Sequence, residues 1–439
     1  MAEAKSIQIQ KESKSTHNFE QCLKCSICTV YCPVSAVEPN YPGPKQSGPD
    51  NERYRLKGAQ FFDEKLKLCL NCKRCEVACP ENVKIADLIQ EARIKYSTAK
   101  PSLRDRMLAN TDFVGTLAHN FAPITNFALG LKPVKAVMDS VLKIDKHRTF
   151  PSYSFQTFEQ WYKKHAAEQE AYKKHVAYFH GCYANYNFPQ LSKDLLKILN
   201  ACGYGVRLLE KEKCCGVALV ANGLSDQAKK QGELNMSSMR KAIAAGDDVL
   251  TTSSTCTFTM RDEYKNLLKI DNDDVAPHLS LATRWLYRMV ESGKIKLAFR
   301  KDFHQRLAYH TACHMERMGW AIYSTELLRM IPGVELTLLD SNCCGISGTY
   351  GFKKENYKRS QAIGAPLFKQ IEELKPDFVS TDCETCKWQI EMSTSRKVKN
   401  PISTIAEALD VEETRRLNKA LKLPSKIELF TITQITKVH

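Results

Sequence analysis

The sequence predicts a multidomain chain of mixed α+β and α/β class, with a small cysteine-rich N-terminal module followed by two duplicated small α/β domains. Three observations predict it. Two cysteine runs of identical spacing lie close to the N-terminus, and a different cysteine pattern occurs twice downstream at near-constant offset. Strand-like and helix-like segments alternate through each of those two repeats. A length of 439 residues also exceeds what one hydrophobic core usually organises.

The first run is Cys22, Cys25, Cys28 and Cys32-Pro33, and the second is Cys69, Cys72, Cys75 and Cys79-Pro80. Three thiolates two residues apart can wrap one iron–sulfur cubane from a single loop. The fourth, fixed beside a proline, reaches the neighbouring cluster. This is bacterial-ferredoxin spacing, and it predicts a two-cluster module over residues 19–98. Cys22, Cys25, Cys28 and Cys79 are expected at one [4Fe–4S] cluster, and Cys69, Cys72, Cys75 and Cys32 at the other. Structural zinc is the alternative, but zinc gains nothing from the second two-residue step or from the proline. Residues 1–18 are expected to be a flexible N-terminus. Residues 39–44, rich in proline, read as an ordered connecting loop. Ile85, Leu88, Ile89, Ala92 and Tyr96 recur at helical spacing and predict the helix that closes the module.

Residues 99–175 are expected to be a helical linker. Within it, residues 113–131 hold no Asp, Glu, Lys or Arg, while Arg104, Arg106, Lys132 and Lys135 flank them. Pro123, Asn120, Asn126 and His119 argue against a membrane-spanning helix. A surface segment attracted to anionic lipid and a helical hairpin packed on the two-cluster module are the two readings. His119 reads either as a quinone hydrogen-bond partner or as a satisfied histidine. Residues 159–175, alternating in Lys and Glu, read as a solvated helix.

Nine of the remaining ten cysteines form two sets: Cys182, Cys214-Cys215-Gly216 and Cys256, then Cys313, Cys343-Cys344-Gly345, Cys383 and Cys386. Corresponding members are 131, 129 and 127 residues apart, which indicates duplication. Strands are expected at 176–180, 206–209, 248–252, 307–310, 334–339 and 377–381. Helices are expected at 190–202, 324–330 and 366–374. These define one small parallel sheet in each of the domains 176–300 and 301–410, with residues 411–439 as a basic tail. Every cysteine of the two sets falls beyond the carboxyl end of a strand, where open α/β sheets bind ligands. Iron–sulfur ligation is favoured over structural zinc or redox-active thiols. The second half keeps five thiols, whereas the first has Thr259 where the second has Cys386. A further cluster is therefore expected on the second set, and a conventional cluster, a modified one or none on the first. Cys202 sits on the apolar side of its helix and reads as core.

Composition narrows the function classes. Lys+Arg 64 against Asp+Glu 49 leaves +15, which favours an anionic partner such as a membrane surface. No DNA- or RNA-binding pattern supports nucleic acid. The first twenty residues carry no apolar run, so no secretory signal is expected and the thiols are expected in a reducing cytoplasm. Neither a G-x-G-x-x-G nor a P-loop occurs.

A two-cluster module fused to two Cys-Cys-Gly domains resembles the heterodisulfide reductase and glycolate oxidase iron–sulfur families. The strings Cys69-Leu70-Asn71-Cys72-Lys73-Arg74-Cys75, Tyr41-Pro42-Gly43-Pro44-Lys45-Gln46, Thr349-Tyr350-Gly351-Phe352-Lys353-Lys354-Glu355-Asn356-Tyr357 and Thr381-Asp382-Cys383-Glu384-Thr385-Cys386 are similar to the family of anaerobic glycerol-3-phosphate dehydrogenase C subunits. That resemblance implies an electron-transfer subunit rather than the dehydrogenase active site. It also implies a flavin-containing partner, membrane quinone as acceptor, and a peripheral place on the cytoplasmic face of the inner membrane. It further implies an unusual non-cubane [4Fe–4S] cluster on Cys313, Cys343, Cys344, Cys383 and Cys386. The alternatives are a disulfide-reducing or electron-transfer subunit of a related complex serving glycolate or lactate oxidation, and a structural zinc protein.

Overall fold

The computed structural model describes residues 18–57, 64–97 and 100–421. The chain divides into two compact units, residues 1–100 and 101–439. The expected flexible residues 1–17 and the tail beyond 421 lie outside the described residues.

In the first unit, helix Ile85–Tyr96 supplies the apolar core. Leu88, Ile89 and Ala92 pack with Phe19, Leu66, Val83 and Ile85, and the thiols Cys28 and Cys75 belong to the same cluster. So small a core, with thiols where aliphatic side chains would otherwise stand, gains from metal ligation as part of its folding energy. The two cysteine loops share one backbone conformation. Lys24 and Ser26 in the first, Asn71 and Lys73 in the second, have φ of 59°, 65°, 54° and 63°. Each pair flanks the middle cysteine of its run, at positions where L-residues are strained. The Lys73 ammonium is buried in an ion pair with Asp87 and lies 3.7 Å from Glu76. Glu76 in turn accepts the backbone N–H groups of Ala86 and Asp87 at 3.0 and 3.3 Å, so a carboxylate caps the closing helix. Residues 39–44 are not wholly loop: a helical turn, Gly43–Lys45, includes Pro44. Proline is tolerated there because a first-turn N–H has no intrahelical acceptor to lose.

The second unit holds two parallel four-stranded sheets. Strands β1 (Lys174–Phe179), β2 (Tyr204–Leu208), β3 (Val249–Thr251) and β4 (Leu279–Leu281) pair in the order β2-β1-β3-β4. Strands β5 (Gln305–Tyr309), β6 (Val334–Leu338), β7 (Phe378–Ser380) and β8 (Val398–Lys399) repeat it as β6-β5-β7-β8. β4 and β8, of 3 and 2 residues, form where the sequence pattern predicts no strand. Helix Pro189–Ala201 buries Leu195, Ile198 and Leu199, and Cys202 joins that core as expected. The helix expected at 366–374 instead runs Lys354–Leu374, straight through Pro366. A Gly364-Ala365-Pro366 breaker is overridden because Ile363, Gly364, Leu367, Phe368 and Ile371 are all buried. Residues 159–175 are not one solvated helix. Two short helices, Phe158–Lys163 and Ala166–Glu170, end before β1. Tyr162 donates to Val206 O at 2.6 Å, and the Gln169 side chain accepts Val206 N–H at 3.1 Å, so this segment packs against β2. The tail begins as a helix, Val411–Lys419, whose Thr414 and Asn418 side chains each accept a backbone N–H, from Ala298 and Lys296, at 3.0 Å.

Four short helices, Leu103–Ala109, Thr111–Asn120, Ala122–Gly130 and Lys132–Val141, make up the central segment. The string 349–357 anchors it. Lys353 pairs with Asp105 at 2.7 Å, Glu355 with Arg104 at 2.8 Å, and Lys354 with Asp139. The Arg148 guanidinium lies 4.5 Å from the Phe352 ring centre, and His147 stacks on Tyr357 at 5.6 Å. Although burial opposes it, hydrogen bonding to Lys353 and Ser102 lowers the Asp105 carboxyl to about 2. A depressed carboxyl stabilises the fold above its unfolded value and loses that contribution as pH falls through the folded one. At pH 7, Asp105→Asn should cost about 1–2 kcal/mol in urea unfolding, after allowance for solvent screening. The difference should vanish as pH falls from about 4 towards 2.

Candidate metal centres

All eighteen cysteines are free thiols. In the N-terminal unit they gather across the two runs. Burial raises the Cys28 thiol, and its thiol neighbours are Cys22, Cys79 and Cys25. Burial pushes Cys32 up to about 12, and its thiol neighbours are Cys72 and Cys69. Cys75 is raised likewise, with Glu76, Cys72, Cys69 and Cys32 beside it. The fourth cysteine of each run therefore stands with the first three of the other. Backbone N–H groups point at sulfur from Asn71 to Cys69 and from Val83 to Cys79, both at 3.4 Å. Such donors favour the thiolate that a metal requires.

In the second unit the carboxyl ends of both sheets carry the thiols. Cys313 Sγ lies 3.8 Å from Cys343 Sγ, and Cys344 Sγ 3.2 Å from Cys386 Sγ. Hydrogen bonding, first from Cys386 and then from Thr385, holds Cys383 down at about 6 against its burial. The first half matches this: Cys182 and Cys215 both hydrogen-bond Cys214 and hold it well below the usual thiol range, and Cys256 bonds Cys215. Thr259 does not take the place of a fifth thiol. It is buried and donates to Glu263 at 3.0 Å. Gly216 and Gly345, which follow the Cys-Cys pairs, have φ of 87° and 84°. A Cβ on Gly345 would meet Ser360 O at 2.1 Å, so this glycine serves the turn and the packing on helix Lys354–Leu374.

The two halves meet at these edges. Ser253 donates to both Glu384 oxygens at 3.1 and 2.9 Å, and Thr255 Oγ1 lies 3.6 Å from Cys383 Sγ. Burial, reinforced by Cys383, raises the Glu384 carboxyl to about 8. A cavity of about 230 Å³ opens there, lined by Cys182, Cys256 and Cys383 among others.

The residues fit an anionic iron–sulfur group. The donors are thiols in sets of four or five, and the second set has a countercharge within reach. Arg148 is fully buried, gives one hydrogen bond to Gln389 at 2.5 Å, and keeps Nε and Nη2 unpartnered. Burial lowers its guanidinium to about 10, and Tyr357 and Cys344 act against that loss. Sequence reading missed Arg148 because it lies in the linker, far from any cysteine. Asp112 was missed for the same reason: its carboxylate accepts the Cys214 N–H at 2.8 Å from helix Thr111–Asn120. His119 is buried with Nδ1 3.4 Å from Phe155 O, which suits a satisfied histidine.

Comparison with known proteins follows the same partition. The 4Fe-4S dicluster domain family matches residues 18–83, and the cysteine-rich domain family matches residues 176–261 and 307–391. The chain is 60% identical to the anaerobic glycerol-3-phosphate dehydrogenase C subunit of Escherichia coli (strain K12), over 89% of this chain and 99% of that relative. It is 25% identical to the glycolate oxidase iron-sulfur subunit of the same organism, over 89% and 94%. It is also 25% identical to the probable glycolate oxidase iron-sulfur subunit of Bacillus subtilis (strain 168), over 79% and 83%.

The crossed grouping has a direct test in iron content. Cys25→Ala and Cys79→Ala should each remove about four irons, and the double variant no more than either. Cys25→Ala with Cys32→Ala should remove about eight. Equal losses from both double variants would contradict the crossing.

Proposed function

This chain belongs to the family of anaerobic glycerol-3-phosphate dehydrogenase C subunits, and on that premise we propose that it carries electrons from a partner flavoprotein to membrane quinone. The partner oxidises glycerol 3-phosphate; this chain contributes no residue to that oxidation, in keeping with its lack of dinucleotide and P-loop motifs. The observation that supports the reading most is the crossed grouping of the eight N-terminal thiols. Cys22, Cys25, Cys28 and Cys79 would hold one [4Fe–4S] cluster, and Cys69, Cys72, Cys75 and Cys32 the second. Cys313, Cys343, Cys344, Cys383 and Cys386 would hold a further, non-cubane cluster, and Cys182, Cys214, Cys215 and Cys256 a fourth site. Clusters so held take up and release single electrons without an open coordination position. The protein's part is to keep the thiols deprotonated, bury them, and supply N–H groups and the Arg148 charge that tune their electron affinity.

The central helices give the reading its membrane side. Phe113, Ile124 and Phe127 are 71%, 69% and 70% exposed, with Leu117, Phe121, Val137 and Val141 also in solvent and Lys132 and Lys135 in the last of these helices. No helix among the described residues is long and apolar enough to cross a membrane. Exposed apolar side chains beside lysines suit an interfacial anchor at the cytoplasmic face of the inner membrane. A second reading, direct reduction of a disulfide, draws on the cavity lined by cysteines of both halves. Turnover of a heterodisulfide by the isolated chain with a reductant would favour it.

Leu117→Glu with Phe121→Glu tests the main reading. The variant should lose binding to anionic lipid vesicles and quinone reduction by the assembled complex. It should keep its iron and its electron transfer to a soluble dye. Retained vesicle binding, or loss of iron, would contradict the assignment of this face to the membrane.

A further inference from the structure

Two histidines occupy corresponding places in the two halves. His180 directly follows β1 and His310 directly follows β5, and both are buried. Their surroundings differ. The His180 ring is held between carboxylates, with Nδ1 3.1 Å from Glu212 and Nε2 3.3 Å from Glu159. At His310, a ring nitrogen, Cys344 Sγ and Cys386 Sγ all lie within 4.8 Å of one another. The His310 backbone N–H donates to Ser380 O at 2.9 Å, which fixes the ring's origin at the carboxyl edge of the sheet.

The halves diverge at two further positions in step with this. Glu212 stands two residues before its Cys-Cys pair, and the corresponding residue before Cys343-Cys344 is Ser341. Where the second half has Cys386 beside its histidine, the first has Thr259, turned to Glu263. The half that keeps the fifth thiol thus brings its histidine to that thiol. The half that lacks it surrounds its histidine with carboxylates.

We propose that His310 is a nitrogen ligand of the second-half iron–sulfur group, sharing an iron region with Cys344 and Cys386. This rests on the reading of Cys313, Cys343, Cys344, Cys383 and Cys386 as a cluster site. Imidazole suits iron, and donors about 2.0–2.3 Å from one tetrahedral metal lie within about 4 Å of each other. The observed spacing asks only a small inward shift. A neutral imidazole brings less negative charge than a thiolate, so a histidine at this position gives the group a higher reduction potential than a cysteine there would.

The test uses the full chain, purified anaerobically with its clusters and labelled with 15N-histidine. Pulsed EPR should show a strongly coupled histidine nitrogen on the signal that Cys343→Ser removes. His310→Cys should lose that coupling, keep wild-type iron and sulfide, and show a lower midpoint potential. Wild-type protein without the coupling, or a coupling that survives in His310→Cys, would overturn the proposal. The labelled wild-type spectrum decides the presence of a nitrogen ligand even if His310→Cys does not fold, and His310→Gln then assigns it. Iron content unchanged by Cys343→Ser would overturn the underlying cluster site together with this ligand. Iron present without the nitrogen coupling would overturn His310 alone.

Discussion

Convergence of buried thiols is the constraint on which the rest of the structure depends. Burial raises Cys28, Cys32, Cys69 and Cys75 above the ordinary thiol range, so packing alone disfavours the thiolates that metals bind. Sulfur-directed N–H groups work in the opposite sense, as does the charge a metal brings. The left-handed residues Lys24, Ser26, Asn71 and Lys73 store backbone strain at the same places in both loops. Repetition of that strain at one register is what a shared ligand geometry demands. Helix Ile85–Tyr96 then covers thiols as well as aliphatic side chains, which ties the stability of this unit to its cysteines.

The second unit meets the same constraint by different means. Parallel strands deliver Cys182, Cys256, Cys313 and Cys383 to the carboxyl edges of their sheets, and the Cys-Cys pairs follow β2 and β6. Duplication set this frame, and the halves then diverged inside it. Glu384 and Ser253 bind the two edges to each other. The central helices are clamped on the string Phe352-Lys353-Lys354-Glu355; from them Asp112 reaches the first thiol set, and just beyond them Arg148 is buried within the electrostatic influence of Cys344. The helices that present the exposed apolar face therefore also touch the first cysteine set, through Asp112.

Spacing and periodicity made much of this legible. The eight N-terminal cysteines, the duplicated sets and the strands β1, β2, β3, β5, β6 and β7 follow from local pattern, because thiol ligation and strand–helix alternation leave marks within a few residues. Residues whose role comes from distant contacts left no such mark. His310 reads as an ordinary histidine until β5 and helix Glu384–Ser393 place it by Cys344 and Cys386. Arg148 reads as a linker charge until Phe352 and Gln389 enclose it. The breaker signal at Pro366 failed for a related reason: tertiary burial of one helix face outweighed a local rule.

Iron and acid-labile sulfide per chain, after strictly anaerobic purification, test the central claim most directly. The account predicts about twelve irons or more with matching sulfide, two cubanes plus a second-half group. Stoichiometric zinc without sulfide would contradict it.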